Sequence, residues 1–376
     1  MKKIGLITIV DYKNYGNRLQ NYATQQVLRS MDYEVITLLN KPVNKSVKKV
    51  KHNLYKDFVN RLKGKKISDL FITLLKRKNR KQFQKAINKK TDTFKNFSNQ
   101  YISESDFIIT VDNIPDNLCN NFDYFVVGSD QVWNPVFRKG SGIDFLEFAT
   151  QKKRIAYAPS FGLEDIPSQY KVKYTKWLSE IKFLSVREEA GQKIIKDLLG
   201  IDVPVLVDPT LLLKKDEWLK IAKPHDHKPN KKYLLTYYLG EEKKNNSKFI
   251  KQYAKDNNLE LVHLGDIKDK KRFTADPSEF LDYFNDASMI FTDSFHGSVF
   301  SIIFNKPFVV FKRGNMNSRI DTLLSKFNLE NRHWGYVKEH KNFNDIDYSH
   351  VDEIINEERK KSFDYLRNAL GIKKEE

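Results

Sequence analysis

The sequence predicts an α/β protein of two domains, and three observations carry that prediction. The chain has 376 residues, more than one ordinary core accommodates, so two domains of about 150 to 200 residues are expected. Short apolar strands alternate with segments of helical period from Lys3, and the alternation restarts at Tyr233, as in parallel sheets covered by helices. The stretch Met289 to Phe311, MIFTDSFHGSVFSIIFNKPFVVF, condenses the pattern. It reads as strand, polar turn, buried helix, a Lys306-Pro307 stop and a second strand, a βαβ unit with short connections.

Composition narrows the class. Cys119 is the only cysteine, which excludes an internal disulfide and a multi-cysteine zinc site and suits a reducing cytosol. The opening MKKIGLITIV meets Asp11 at once, too short an apolar run for a signal peptide, and no segment has the length of a bilayer span. A cytoplasmic protein is expected. The net charge is +18, and nineteen Lys and Arg between Lys41 and Lys95, against Asp57, Asp69 and Asp92, supply +16 of it. A nucleic-acid binder spreads its basic residues over a folded face, so nucleic acid is not the expected partner.

The elements follow in order. Lys3 to Val10 is a strand, and a helix runs from about Asn17 to Met31 with Leu19, Tyr22, Ala23, Val27 and Leu28 on one face. Tyr33 to Leu39 is the next strand. This order is Rossmann-like but lacks the G-x-G-x-x-G fingerprint, so no dinucleotide is implied. Asn14, Tyr15, Gly16, Asn17 and Gln20 stand at the carboxyl end of the first strand, either lining a ligand cleft or forming a turn and cap that serve only the fold. An insertion over about 41–97 follows. Its stripes Leu54, Tyr55, Phe58, Val59, Leu62 and Ile67, Leu70, Phe71, Leu74, Leu75 describe basic amphipathic helices. They either lie on an anionic membrane surface or pack on the protein with a solvated basic face. Phe83, Ile87, Phe94 and Phe97 continue the helical pattern toward the core.

Phe122 to Val127 is a buried strand that leads into Gly128-Ser129-Asp130-Gln131-Val132-Trp133-Asn134. Small, hydrogen-bonding and aromatic residues after a strand end suit a sugar, with polar groups for hydroxyls and an indole for the ring face. Arg154 to Ala158 is a strand and Gln169 to Ile181 a helix. A strand from Phe183 then reaches Arg187-Glu188-Glu189 and a helix to Leu199. Arg187 thus stands at a strand-to-helix corner, as a functional cation or as an ordinary Arg–Glu surface pair. Val203 to Val207 and Asp208-Pro209-Thr210 form a linker strand and turn.

In the second half, strands Tyr233 to Leu239 and Leu259 to Leu264 flank a helix over Asn246 to Asn257, and a helix over Pro277 to Asn285 leads into the central stretch. There Asp293, Ser294, Phe295, His296 and Gly297 sit where a strand ends and a helix begins. Unpartnered N–H groups favour an anion at such a corner, although a lone His in a polar turn also serves as a cap. Lys312, Arg313 and Arg319 follow, then a helix to Phe327 and an amphipathic tail helix from Val351 to Leu370. The expected division is an N-terminal Rossmann-like domain over 1–202, a C-terminal Rossmann-like domain over 203–350 and a C-terminal helix over 351–376.

Taken together, ITIVDYKNYGNRLQNYA, FDYFVVGSDQVWNP, RIAYAPSFG, LSVREEAGQ, VLVDPTLLL, TDSFHGSVFSIIFNKPFVVF and NSRIDTLL resemble the polysaccharide pyruvyl transferase family. The resemblance implies a GT-B-like fold, two Rossmann-like domains facing a cleft. It implies transfer of pyruvate from phosphoenolpyruvate to a sugar of a cell-surface polysaccharide precursor, usually as a cyclic ketal. It also implies donor binding by His296 of the SFHG motif, with its neighbours Ser294, Phe295 and Gly297, and by Arg187 of the VRE motif. Some members carry Arg two positions before the His, where this chain has Ser294. A further donor cation must then come from Arg319, Lys312 or Arg313.

The chemistry suits these residue types in its own right. Phosphoenolpyruvate carries a carboxylate and a phosphate, which Arg forks and helix N-termini bind. Addition of an alcohol needs a general acid for the methylene carbon and a base for the hydroxyl. Asp130 is a candidate base, with Asp11 and Glu188 as others. No cluster has metal-ligand spacing, and neither a metal nor a cofactor is expected. A nucleotide-sugar glycosyltransferase of the same fold is the alternative. A non-catalytic basic protein bound to membrane or nucleic acid is favoured by 41–95 alone. The expected partners are phosphoenolpyruvate, a sugar acceptor that is lipid-linked in one version, and an anionic surface at the inner membrane face.

Overall fold

A computed structural model of the chain describes residues 1–41, 69–240, 244–313, 317–341, 343–344 and 346–372, with side chains of 69–80 and 244 excepted. Leu54, Tyr55, Phe58, Val59, Leu62 and Ile67 therefore lie outside the described residues. Leu70, Phe71, Leu74 and Leu75 fall on described backbone only, in helix Asp69–Tyr101.

Two parallel sheets organise the molecule. The first contains β1 (Lys2–Ile7), β2 (Tyr33–Lys41), β3 (Glu104–Thr110), β4 (Tyr124–Val127) and β5 (Arg154–Ala156), in the order β3-β2-β1-β4-β5. The second contains β6 (Tyr233–Tyr237), β7 (Glu260–His263), β8 (Met289–Thr292) and β9 (Phe308–Val310), in the order β7-β6-β8-β9. All ladders are parallel, Ile4 facing Val35 and Tyr124, and Leu235 facing Val262 and Ile290. Helices cover both faces, which is why these strands read as continuous apolar runs.

Helix Tyr15–Arg29 departs from the expected single apolar face: thirteen of its fifteen residues are buried. Its polar side is sealed by hydrogen bonds instead, with Gln25 Nε2 donating to Thr37 Oγ1 at 2.8 Å and Arg18 Nη1 paired with Glu104 at 2.6 Å. The sequence offered no strand at β3, whose ESDFIIT lacks an unbroken apolar run, nor helix Trp334–His340, which carries Gly335. Conversely, the expected strands at Phe183–Val186 and Val203–Val207 reduce to isolated bridges, Ile155 with Phe183 and Val186 with Val205. Phe94 and Phe97 reach the core as the helical pattern requires, whereas Phe83 is half exposed.

One apolar core joins the halves. Tyr15 stacks on Phe280 with ring centroids 4.7 Å apart, and its hydroxyl donates to the Ala275 carbonyl at 2.8 Å. Trp218 packs against Tyr22 from the first half and Phe300 from the second. Such aromatic pairs contribute about 1 kcal/mol each beyond the area they bury. The tail helix, Tyr348–Leu370, returns to the first half, where Tyr365 donates to the Ala156 carbonyl at 2.9 Å. It ends at Gly371 with φ 70°, the left-handed conformation that closes helices without strain for glycine.

Candidate active site

Each sheet has a topological switch point, between β1 and β4 in the first and between β6 and β8 in the second. Ligands of open α/β sheets bind outside the strand carboxyl ends at such points. Here both open onto one cleft of about 300 Å³. The first half lines it with Ile9, Asp11, Asn14, Asn17, Asp130 and Gln131, and Phe137 projects at its edge. The second half contributes Leu239, Ser294, Phe295, His296, Arg313 and Arg319.

His296 is placed by its helix start. Ser294 caps helix Phe295–Ile303, its hydroxyl accepting from the Gly297 N–H at 3.3 Å. Gly297 backs onto Thr292, whose Oγ1 lies 2.3 Å from where a Cβ would stand. The imidazole lies against Gly16 of the opposite half. A Cβ on Gly16 would come within 2.0 Å of His296 Nδ1, so glycine is required there for close approach. The other ring nitrogen, Nε2, is buried 3.7 Å from Asp208 Oδ2 and has no hydrogen-bond partner.

Arg187 stands behind Phe295, its guanidinium carbon 4.6 Å from the ring centroid. Nη1 pairs with Asp208 Oδ2 at 2.5 Å, and Nη2 lies 3.8 Å from Asp130 Oδ1. Burial alone would lower the guanidinium, but Asp208, Asp130 and Glu188 hold it above its ordinary range. Its Nε and Nη2 remain without hydrogen-bond partners. The alternative reading of Arg187, an ordinary surface pair with Glu188, is not what forms. Glu188 Oε1 instead accepts from Ser160 Oγ and the N–H groups of Phe161 and Gly162.

Of the three further cations, Arg313 and Arg319 line the cleft, and among the described residues Arg319 forms no ion pair. It is 8% exposed and lies 5.8 Å from the Phe295 centroid on the same side chain that Arg187 touches. Its Nε has no partner. Burial first, then Arg187, lower the guanidinium to about 10. Arg313, by contrast, is held by Asp293 at 3.2 Å. Lys312 is exposed beside Asp321 at 3.6 Å, away from the cleft.

The first half divides the same way. Asn14, Asn17, Asp130 and Gln131 reach the cleft. Gly16 serves as the bed for His296. Trp133 corrects the expectation that an indole meets a sugar face: it is fully buried, stacked on Phe145, with Nε1 donating to the Asp144 carbonyl at 2.8 Å. Asn134 caps the following turn through Val136 N, Gln20 Nε2 donates to Thr8 Oγ1, and Ser129 Oγ donates to the Ala158 carbonyl. All three are buried and turned inward, so they support the cleft wall from behind.

Two carboxylates at the cleft differ in state. Burial would raise Asp130, but Arg187, His296, the Asn17 amide and Arg319 together hold it below the usual carboxylate range. Burial raises Asp11, and the pull of Lys13 and Arg18 does not offset it. Asp208 escaped the sequence reading altogether. Its place after Val203–Val207, before Pro209, looks like a linker turn; an acid at the carboxyl end of an apolar run was the available signal. Among the described residues no His, Cys, Asp and Glu group could hold a metal ion, and no helix is long and apolar enough to cross a membrane.

Comparison with known proteins gives a family and a fold. The sequence profile of the polysaccharide pyruvyl transferase family matches residues 14–315. No curated protein matches the chain. The S. aureus MnaA–UDP co-structure is similar with a TM-score of 0.51 at 13% identity, over 100% of this chain and 99% of that one. A UDP-GlcNAc 2-epimerase from Neisseria meningitidis bound to UDP-GlcNAc gives 0.46 at 11% identity, over 98% and 100%. The likeness to the first, together with the two parallel sheets, makes the fold GT-B-type.

Proposed function

The chain belongs to the polysaccharide pyruvyl transferase family, and from that premise we propose that it moves the pyruvyl group of phosphoenolpyruvate onto two hydroxyls of a sugar. The acceptor is a unit of a cell-surface polysaccharide precursor, the product a cyclic ketal, and phosphate is released. The observation that supports this donor is the buried Arg319, whose Nε has no hydrogen-bond partner and which forms no ion pair among the described residues, beside Arg187 and His296 around one phenyl ring. An uncompensated buried cation is costly. A donor bearing phosphate and carboxylate supplies the missing charge, with the N–H groups at the start of helix Phe295–Ile303 adding to it.

The residues divide the steps. Arg187 and Arg319 hold the two anionic groups of the donor. His296 gives a proton to the methylene carbon, making it a methyl group, while the first sugar oxygen bonds to the central carbon. Asp11 takes the proton of that hydroxyl; its raised pKa suits a base better than Asp130, which stays tied to Asn17 and Arg187. The second hydroxyl then bonds to the same carbon as the C–O bond to phosphate breaks. Its proton leaves with phosphate, so the reaction balances without a cofactor. Asn14, Asn17 and Gln131 orient the acceptor. The positive charge between Lys41 and Lys95 supports a lipid-linked, anionic precursor at a membrane surface as the acceptor's form.

The test is to incubate the protein with phosphoenolpyruvate and precursor glycan, following phosphate and glycan mass. The expected result is phosphate release matched by a mass gain of pyruvate less water. Release of nucleotide from a nucleotide sugar, with phosphoenolpyruvate untouched, would establish the glycosyltransferase reading instead.

A further inference from the structure

A second concavity has Phe273, a neighbour of Lys90, in its wall. Lys90 belongs to helix Asp69–Tyr101, and its ammonium turns inward, 4.7 Å from the Tyr15 centroid and 4.9 Å from that of Phe273. Next to Phe273 a groove of about 560 Å³ runs between this helix and residues 267–274. Phe83, Ala86, Ile267 and Phe273 give it apolar walls, and Phe83 is 50% exposed. Lys85, Lys89 and Lys270 stand at its rim. Lys81, Lys85 and Lys89 follow at intervals of four and so share one helix face. Asp269, the acid nearest to Lys270 in sequence, is taken by Arg272 at 3.0 Å. No acid pairs with Lys85, Lys89 or Lys270 among the described residues.

We propose that this groove binds a long-chain lipid diphosphate, the carrier of the acceptor sugar, with its phosphates on Lys85, Lys89 and Lys270 and its tail on Phe83, Ile267 and Phe273. The proposal rests on the reading of the cleft as a sugar pyruvyl transferase site and adds the carrier's seat. An apolar floor ringed by unpaired cations selects an amphiphile with an anionic head: free phosphate leaves the floor uncovered, and a bare hydrocarbon leaves the lysines uncompensated. The concave shape admits one chain, whereas a bilayer surface meets a projecting face. Phe273 and Tyr15 share Lys90, and Tyr15 follows Asn14 of the cleft, so the inner wall of the groove is linked to the cleft through one buried ammonium.

Calorimetric titration of the full chain with farnesyl diphosphate, inorganic diphosphate and farnesol tests the proposal. Farnesyl diphosphate should bind saturably, and each fragment alone at least about tenfold more weakly. The double variant Lys85→Ala/Lys89→Ala should weaken binding about twenty-fivefold, one fivefold step for each lysine, and Phe83→Asp should abolish it. All three positions are exposed, so these variants are expected to fold. Equal binding of inorganic diphosphate, or unchanged farnesyl diphosphate binding in both variants, overturns the proposal. So does binding to phosphatidylglycerol vesicles that the variants weaken without any saturable farnesyl diphosphate site, which would make the face a membrane patch. The titration needs no turnover, so it decides the matter even if pyruvyl transfer fails.

Discussion

His296 Nε2 faces Asp208 Oδ2 across 3.7 Å, and the same carboxylate oxygen holds Arg187 Nη1 at 2.5 Å. One buried acid from the segment between the halves thus positions a cation from the first half and an imidazole from the second. Ser129 and Thr210 complete its shell, Ser129 Oγ lying 3.1 Å from Oδ2 and the Thr210 hydroxyl donating to Oδ1 at 2.6 Å.

Asp208→Asn tests that hub. Burial alone would raise the Asp208 carboxyl, but His296, Arg187 and Thr210 hold it far below the usual carboxylate range. As the pH falls the unfolded chain therefore takes up this proton first. The stabilisation is complete above about pH 4 and is lost as the pH drops toward the depressed native value. The variant should be about 3–5 kcal/mol less stable near neutrality, because Arg187 loses its buried partner. Urea unfolding should show this gap narrowing below about pH 4. A gap independent of pH would mean that Asp208 contributes through packing rather than charge.

Arg319→Gln should separate function from stability. Removing a buried cation that lacks an acid partner should leave stability unchanged or raise it by about 1 kcal/mol. The KM for phosphoenolpyruvate should rise at least about tenfold while that for the acceptor stays put. Lost stability with an unchanged KM would make Arg319 a structural residue.

His296→Ala should lower turnover about 10²- to 10⁴-fold if the imidazole is the general acid. His296→Asn keeps a hydrogen bond but delivers no proton, so it should be nearly as slow. Near-normal turnover of the Asn variant would reduce His296 to a hydrogen-bonding group. In heavy water the pyruvyl methyl group should carry deuterium; a pyruvylated product without it would overturn the protonation step itself.

Gly16→Ala reaches the same imidazole from the other half. The new methyl group would stand 2.0 Å from His296 Nδ1, so ring or helix must shift. A stability cost of about 1–3 kcal/mol is expected for such overpacking, together with a fall in kcat well beyond what that loss explains. Full activity would show that the packing of His296 on Gly16 is dispensable.

Asp11→Asn addresses the base. Burial raises the Asp11 carboxyl, so kcat/KM of the parent should decline on acidification through a pKa above the ordinary value of about 4. The variant should lose that limb and about 10²- to 10⁴-fold in kcat, with unfolding otherwise similar. If Asp130→Asn shows the loss and Asp11→Asn does not, the base is Asp130.

The sequence by itself determined the alternation of strands and helices, the restart at Tyr233 and the strand-to-helix corner at His296. These follow from residue period, turn residues and capping, all of which act within a few positions of one another. Ser294, for example, caps its helix through Gly297 N, three residues away. The gathering of charge between Lys41 and Lys95 was equally legible. What local pattern does not carry is the partner of a polar side chain. Trp133 in a glycine- and asparagine-rich loop reads like a ligand platform, yet tertiary packing seals it against Phe145. Lys312, Arg313 and Arg319 are equivalent as text, and only the fold gives Arg313 to Asp293, turns Lys312 to the surface and leaves Arg319 facing the cleft. Asp208 reads as a linker turn until two sheets bring Arg187 and His296 to it. That meeting was decided by the tertiary structure alone, because strand order places both switch points on one cleft, and a buried charge takes its character from neighbours distant in sequence.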